Sequence, residues 1–152
     1  AKGAVAVLLG RLIFAWLLAG TGIEPVCGAY LAGIFAVIGH TLPVYFGFKG
    51  GKGVLVGAGA ILATSPVVVL ALLIIFLIEF AITRIVSLGS IIVAGLYPIL
   101  AIVYWAWQGA NLPSLVFIGV CAAIMGGMVI YMHRSNIQRL KDGTEYRFTK
   151  KK

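Results

Sequence analysis

The sequence predicts an all-α, polytopic integral membrane protein with about six transmembrane helices. Three observations carry that reading. First, 62% of the 152 residues are hydrophobic and only 11% are charged, with a mean hydropathy of +1.11. A soluble domain is roughly 45–50% apolar and about 25% charged. Second, six apolar segments of helical length follow one another, where a span needs about 20 such residues. Third, the basic residues gather in alternate connections, as the positive-inside rule requires.

The segments are Gly3–Gly20, Pro25–Val44, Gly53–Thr64, Pro66–Thr83, Val86–Trp107 and Leu112–Met132. Glycine, proline and charge mark the breaks, at Thr21-Gly22, the loop 46–53, Ser65-Pro66, Arg84, and Gln108 to Pro113. Gly53–Thr64 is too short to cross upright and reads as a half-span helix. If Lys2 lies on the cytoplasmic side, alternation places Lys49, Lys52, Arg84 and the tail there as well. The opposite side receives Glu24 and Asn111 and no lysine or arginine. The expected organisation is a transmembrane domain over 1–132, with a cytoplasmic Gly/Lys loop at 46–53, and a basic cytoplasmic tail over 133–152. The chain opens Ala1-Lys2-Gly3, with no initiator Met and no cleavable signal pattern, so we expect a longer protein that begins upstream.

A net charge of +8 would point to nucleic acid in a soluble protein. Here it lies in loops and the tail, so no nucleic-acid partner is expected, and membrane lipid or an anionic substrate is. Tyr104, Trp105 and Trp107 read as an interfacial aromatic belt. Gly57/Gly59 and Gly126-Gly127 read as close helix-packing positions. Glu79 and Arg11 are ionisable groups inside spans, where such residues are by default functional or paired. Cys27 and Cys121 are distant from each other and, with His40 and His133, form no metal pattern. No metal and no cofactor are expected.

Chemistry concentrates in two stretches. Lys49-Gly50-Gly51-Lys52-Gly53 alternates glycine with lysine, leaving backbone N–H groups uncovered beside positive charge, which suits a phosphate anion. It is not a Walker A loop, since only three residues separate Gly47 from Gly51-Lys52 where that loop has four, and glycine follows the lysine. His40, just upstream, falls on the same membrane face. The tail, His133-Arg134-Ser135-Asn136-Ile137-Gln138-Arg139-Leu140, continues the last span. On a helix, His133, Asn136 and Leu140 share one face, and Arg134 and Gln138 another. Arg84 offers a planar fork to a phosphate, with Ser87 a further donor. Neither a Gly-x-Ser-x-Gly elbow nor a His-x-x-x-x-Asp acyltransferase signature occurs. From the residues alone two readings stay open: an enzyme handling a phosphorylated substrate at the bilayer surface, or a membrane anion or phosphate-ester transporter component.

Gly39-His40, Pro43 and Phe48-Lys49-Gly50-Gly51-Lys52-Gly53-Val54 resemble the second motif of the bacterial acyl-phosphate:glycerol-3-phosphate acyltransferases. His133-Arg134, Asn136-Ile137, Arg139-Leu140, Gly143 and Glu145 resemble that family's third motif, and Thr83-Arg84, Ser87 and Ser90 match its pattern between the two. The resemblance implies transfer of a fatty acyl group from acyl phosphate to the 1-hydroxyl of glycerol 3-phosphate, giving lysophosphatidic acid for phospholipid synthesis at the bacterial inner membrane. It implies catalytic roles for His133, Lys52, His40 and Asn136. Lys49, Gly50, Gly51, Lys52, Gly53, Arg84 and Ser87 would bind phosphate, and Pro43, Arg134, Arg139, Gly143 and Glu145 would support the motifs. The family also carries a first motif of Gly-Ser-Gly-Asn type, which has no counterpart in these residues. Its intact members have seven membrane helices, so this chain is expected to correspond to the last six.

Overall fold

In the computed structural model, residues 2–17, 24–47 and 50–148 are described. Lys49, Phe48, the break at Thr21-Gly22, the end of the first apolar segment and Lys150 to Lys152 lie outside them. Among the described residues every regular element is helical: α1 (Lys2–Leu17), α2 (Val26–Thr41), α3 (Val54–Thr64), α4 (Pro66–Thr83), α5 (Val86–Trp107), α6 (Leu112–Met132) and α7 (Arg134–Lys141), with a 3-10 turn at Val44–Phe46.

Three helices, α4, α5 and α6, are long and apolar enough to cross a membrane. At 1.5 Å per residue their 18 to 22 residues extend roughly 27–33 Å, matching a hydrocarbon core of about 30 Å. The other three apolar helices are shorter: α1 and α2 have 16 residues each and α3 has 11. The outward surface is lipid-like, with Leu55, Ile82, Leu12 and Val116 more than half exposed.

Local chemistry sets the helix ends. Pro66 opens α4, where a missing N–H costs nothing. Asn111 caps α6 by accepting from the Ser114 N–H at 2.9 Å. Arg84 ends α4 with φ 62°, the one non-glycine residue with positive φ among those described.

Close crossings rest on small residues. Gly10 faces Gly28 where α1 crosses α2, and a Cβ on Gly10 would stand 2.7 Å from the Gly28 carbonyl oxygen. Pro98, inside α5, has no N–H for the Ala94 carbonyl; Gly126 of α6 packs directly against that oxygen. The expectation for Gly57/Gly59 and Gly127 is corrected: no atom lies within 4 Å of a Cβ at Gly57 or Gly127, and one at Gly59 would meet only the Ala4 nitrogen, at 3.8 Å.

Trp105 also departs from the belt reading. Its indole N–H donates to the Tyr30 hydroxyl at 3.0 Å, so it points into the bundle, while Trp107 remains 79% exposed. Bringing the indole N–H to a partner removes the cost of burying it. Arg11 and Glu79 are not paired with each other: the one ion pair among the described residues joins Arg139 to Glu145.

Candidate functional site

The ends of α2, α4 and α6 and the starts of α3, α5 and α7 meet at one end of the bundle. The Gly/Lys loop is pressed onto the end of α2. A Cβ on Gly50 would collide with the His40 carbonyl oxygen and stand 2.7 Å from both the Pro43 ring and the Thr41 carbonyl oxygen. One on Gly51 would come 2.5 Å from His40 Nε2. Glycine at 50 is therefore required by its close approach to backbone, whereas at 51 the neighbour is the exposed His40 ring, which can turn aside. Gly53 follows with φ 80°, a left-handed residue that turns the chain into α3.

The loop delivers Lys52 to α7, where its Nζ donates to Asn136 Oδ1 at 2.7 Å. Asn136, 4% exposed, passes the connection on, since its Nδ2 donates to Glu145 Oε1 at 2.6 Å. Ser87, in the first turn of α5, donates to the same oxygen at 2.7 Å. Arg139 Nε reaches Glu145 Oε2 at 2.7 Å. Four separate parts of the chain are thus joined through one carboxylate. These donors, Ser87 first, then Asn136 and Arg139, pull the Glu145 carboxyl down to about 2 against a smaller upward push from burial.

Gly143 explains how Glu145 gets there. It takes φ 68° just past α7. Its N–H bonds the Leu140 carbonyl at 3.2 Å, and the Thr144 N–H bonds the Arg139 carbonyl at 2.8 Å. This is a Schellman stop, and it reverses the chain toward α5. The return is fastened by the Phe148 N–H, which donates to the Arg84 carbonyl at 3.0 Å, and by edge-on contact of the Phe148 and Phe80 rings at 5.8 Å. The tail as far as Phe148 therefore packs on the corner between α4 and α5.

His133 sits between α6 and α7, 2% exposed. Its Nδ1 lies 2.7 Å from the Val129 carbonyl oxygen. A carbonyl only accepts, so Nδ1 carries the proton and Nε2 keeps its lone pair. Burial lowers the imidazole below its ordinary range, and Lys52 lowers it further, against upward pulls from Val129 and Glu145.

The structure thus joins Lys52, Ser87, Asn136, Arg139 and Glu145, with His133 alongside. Other expected site residues stand apart from this network. His40 is exposed and braces Gly51. Arg84 is exposed and contributes its backbone carbonyl. Arg134 folds back outside, its guanidinium 4.7 Å from the centre of the Tyr131 ring.

The partner of Glu79 and a cavity below the site were not identified from the sequence. Thr83 Oγ1 donates to Glu79 Oε1 and accepts from the Ile85 N–H, stiffening the turn that leads to Ser87. The second is an apolar cavity of about 310 Å³ lined by residues of α2, α3, α4, α5 and α6. Its lining includes Val54, which follows Gly53, Ser90, one turn beyond Ser87, and Val129, the partner of His133. The cavity therefore starts directly beneath the polar network and runs inward to Leu72 and Tyr97.

Comparison with known proteins identifies the architecture. The chain matches crystal structures of PlsY (YgiH), an integral membrane glycerol 3-phosphate acyltransferase, in a glycerol 3-phosphate form and a lysophosphatidic acid form. The TM-scores are 0.69 and 0.68, at 34% and 35% identity, over 95% of this chain and 68% and 69% of those chains. A glycerol-3-phosphate acyltransferase of Clostridioides difficile is 41% identical over 99% of this chain and 68% of its own length. One from Syntrophomonas wolfei is 44% identical over 95% of this chain and 69% of its own. With the family model for glycerol-3-phosphate acyltransferase matching residues 1–143, this multi-pass membrane chain belongs to the glycerol-3-phosphate acyltransferase family.

Proposed function

We propose that the site transfers a fatty acyl group from acyl phosphate to the 1-hydroxyl of glycerol 3-phosphate, giving lysophosphatidic acid. The observation that carries this reading is the continuity of a cationic, hydrogen-bonding site with an apolar cavity directly below it. An acyl phosphate has the same two parts, a phosphate head and a hydrocarbon chain. That a related structure, 35% identical, was solved in a lysophosphatidic acid form supports the same assignment.

Both substrates bring phosphate. Lys52, with Lys49, Arg84 and the N–H groups of Gly50, Gly51 and Gly53, would hold the two anions together, aided by the positive end of α3. Orientation of this kind contributes on the order of 7–11 kcal/mol to lowering a barrier. His133 Nε2 would take the proton of the 1-hydroxyl as its oxygen attacks the acyl carbonyl carbon. The new C–O ester bond forms, the bond from the acyl carbon to the phosphate oxygen breaks, and inorganic phosphate leaves with that electron pair. Lys52 would stabilise the carbonyl oxyanion between these steps, with Asn136 fixing its position. His40, Pro43, Arg139, Gly143 and Glu145 act through structure: they shape the loop, stop α7 and hold Asn136, while Arg134 packs on Tyr131.

The test is release of inorganic phosphate from palmitoyl phosphate by the full-length protein in liposomes. Release should depend on glycerol 3-phosphate and yield lysophosphatidic acid in equal amount. Turnover with acyl-CoA in place of acyl phosphate would overturn the donor assignment.

We further propose that the site and the tail 133–152 face the cytoplasm at the bacterial inner membrane, as the basic residues around them require, with 1–132 forming the transmembrane domain. Protease added to inverted vesicles should remove the tail, and protease added outside right-side-out vesicles should leave it intact. The reverse pattern refutes the orientation.

A further inference from the structure

Glycine in a membrane helix usually marks a crossing where a side chain has no room, and several glycines here do so. A Cβ at Gly3 would stand 2.6 Å from the Val56 carbonyl oxygen, and Gly10, Gly28 and Gly126 are equally confined. Others have open space: nothing lies within 4 Å of a Cβ at Gly39, Gly47, Gly57, Gly95, Gly109, Gly127 or Gly143. Of these, Gly57 alone is buried. It lies inside α3, where its N–H donates to the Gly53 carbonyl at 2.8 Å, and its φ is not in the left-handed region. Neither a neighbour nor the backbone requires glycine, and glycine inside a helix weakens it relative to alanine. The empty space beside Gly57 is the apolar cavity, which it lines together with Val54, Leu72, Phe76 and Tyr97.

Depth gives that space a meaning. Gly57 is four residues along α3 from Gly53, roughly 6 Å below the polar site at 1.5 Å per residue. Tyr97 is ten residues along α5 from Ser87, roughly 15 Å below it. A chain entering from the polar site must pass the level of Gly57 before it reaches the deep part of the cavity.

We propose that Gly57 is a specificity-determining residue: the missing side chain keeps the cavity open past its first turn and so admits long acyl chains. This rests on the acyl-transfer reading. A butanoyl group ends above the level of Gly57, while a long chain must run beside it. A methyl group at this position would meet no atom within 4 Å, and a larger apolar side chain would extend from it into the passage and narrow the slot.

The experiment compares Gly57→Ala and Gly57→Leu with the unsubstituted full-length protein in liposomes, measuring kcat/KM for acyl phosphates from butanoyl to stearoyl. In Gly57→Leu the palmitoyl-to-butanoyl ratio should fall at least tenfold, with butanoyl transfer and the KM for glycerol 3-phosphate kept within about twofold. In Gly57→Ala the ratio should fall less, by about threefold. Neither variant should melt at a lower temperature, because both residues favour the helix over glycine; if Gly57→Leu fails to fold, the ratio in Gly57→Ala decides. An unchanged ratio, or equal loss at every chain length, in an otherwise active enzyme overturns the role of Gly57 alone. Absence of transfer from every donor by the unsubstituted protein overturns the acyl-transfer reading and this inference with it.

Discussion

Replacing Lys52 with methionine should lower kcat by about 10²–10³-fold, the loss typical of removing one donor to a developing oxyanion, with a modest fall in melting temperature and no loss of fold. The ammonium group has three N–H bonds, and one is used on Asn136 Oδ1 at 2.7 Å. The other two are available to a phosphate or to the carbonyl oxyanion. Methionine keeps the apolar stem and removes the charge and every donor. The Lys52 side chain is exposed, but its partner Asn136 is buried, so leaving Asn136 Oδ1 unpaired costs the fold about 1–3 kcal/mol. Lys52→Arg should recover little, because a planar guanidinium cannot donate to Asn136 from the same point and present its remaining N–H bonds to the same places. The check is steady-state phosphate release under saturating acyl phosphate and glycerol 3-phosphate. Turnover within a few-fold of the unsubstituted enzyme would remove Lys52 from the chemistry.

How far the sequence reaches depends on the kind of information asked of it. The apolar runs and their punctuation place α4, α5 and α6 at Pro66–Thr83, Val86–Trp107 and Leu112–Met132, because leaving a bilayer demands a break in hydropathy that proline, glycine and charge announce. Which side of each helix faces inward is different. In lipid both sides are apolar, so the periodicity that orients a soluble helix is weak. That is why Trp105 reads as belt yet donates to Tyr30, and why Gly57 reads as a packing glycine yet opens onto a cavity. In the tail, where water is the solvent, amphipathicity returns: Asn136 and His133 are buried, and Arg134 and Gln138 are exposed. The two motifs were legible as residue types. Their connection was not, since it depends on the left-handed Gly143 bringing Glu145 back to Ser87, 58 residues away in the chain. Likewise Gly50 and Gly51 look like bare phosphate-binding backbone, and only the packing shows that His40 occupies the space their side chains would need.

That returning carboxylate sets the second large effect. Glu145→Ala should lower both stability and kcat/KM, because three donors lose their acceptor together. Ser87 and Asn136 are 6% and 4% exposed, so little water reaches them, and each buried group left unpaired costs about 1–3 kcal/mol. A destabilisation of about 2–6 kcal/mol is expected on that basis. Turnover should fall by about 10²-fold, since Asn136 is no longer held under Lys52 and misplacement on the scale of an ångström costs about that much. Glu145→Gln should recover part of both, as its amide oxygen can still accept from Ser87 and Asn136 while its NH₂ group faces Arg139 without a charge to offer. The effect must also depend on pH in one direction. The carboxyl is held at about 2 in the folded protein, below its ordinary 4.5, so folding favours the ionised form. Its contribution is complete above about pH 4.5 and fades as pH falls toward 2. The gap in melting temperature between the unsubstituted protein and Glu145→Ala should therefore stay constant from pH 8 to about 5 and narrow below that. Thermal unfolding in detergent across this range measures it. A gap that persists unchanged at pH 3 would mean that the ionised carboxylate is not what joins the loop, α5, α7 and the tail.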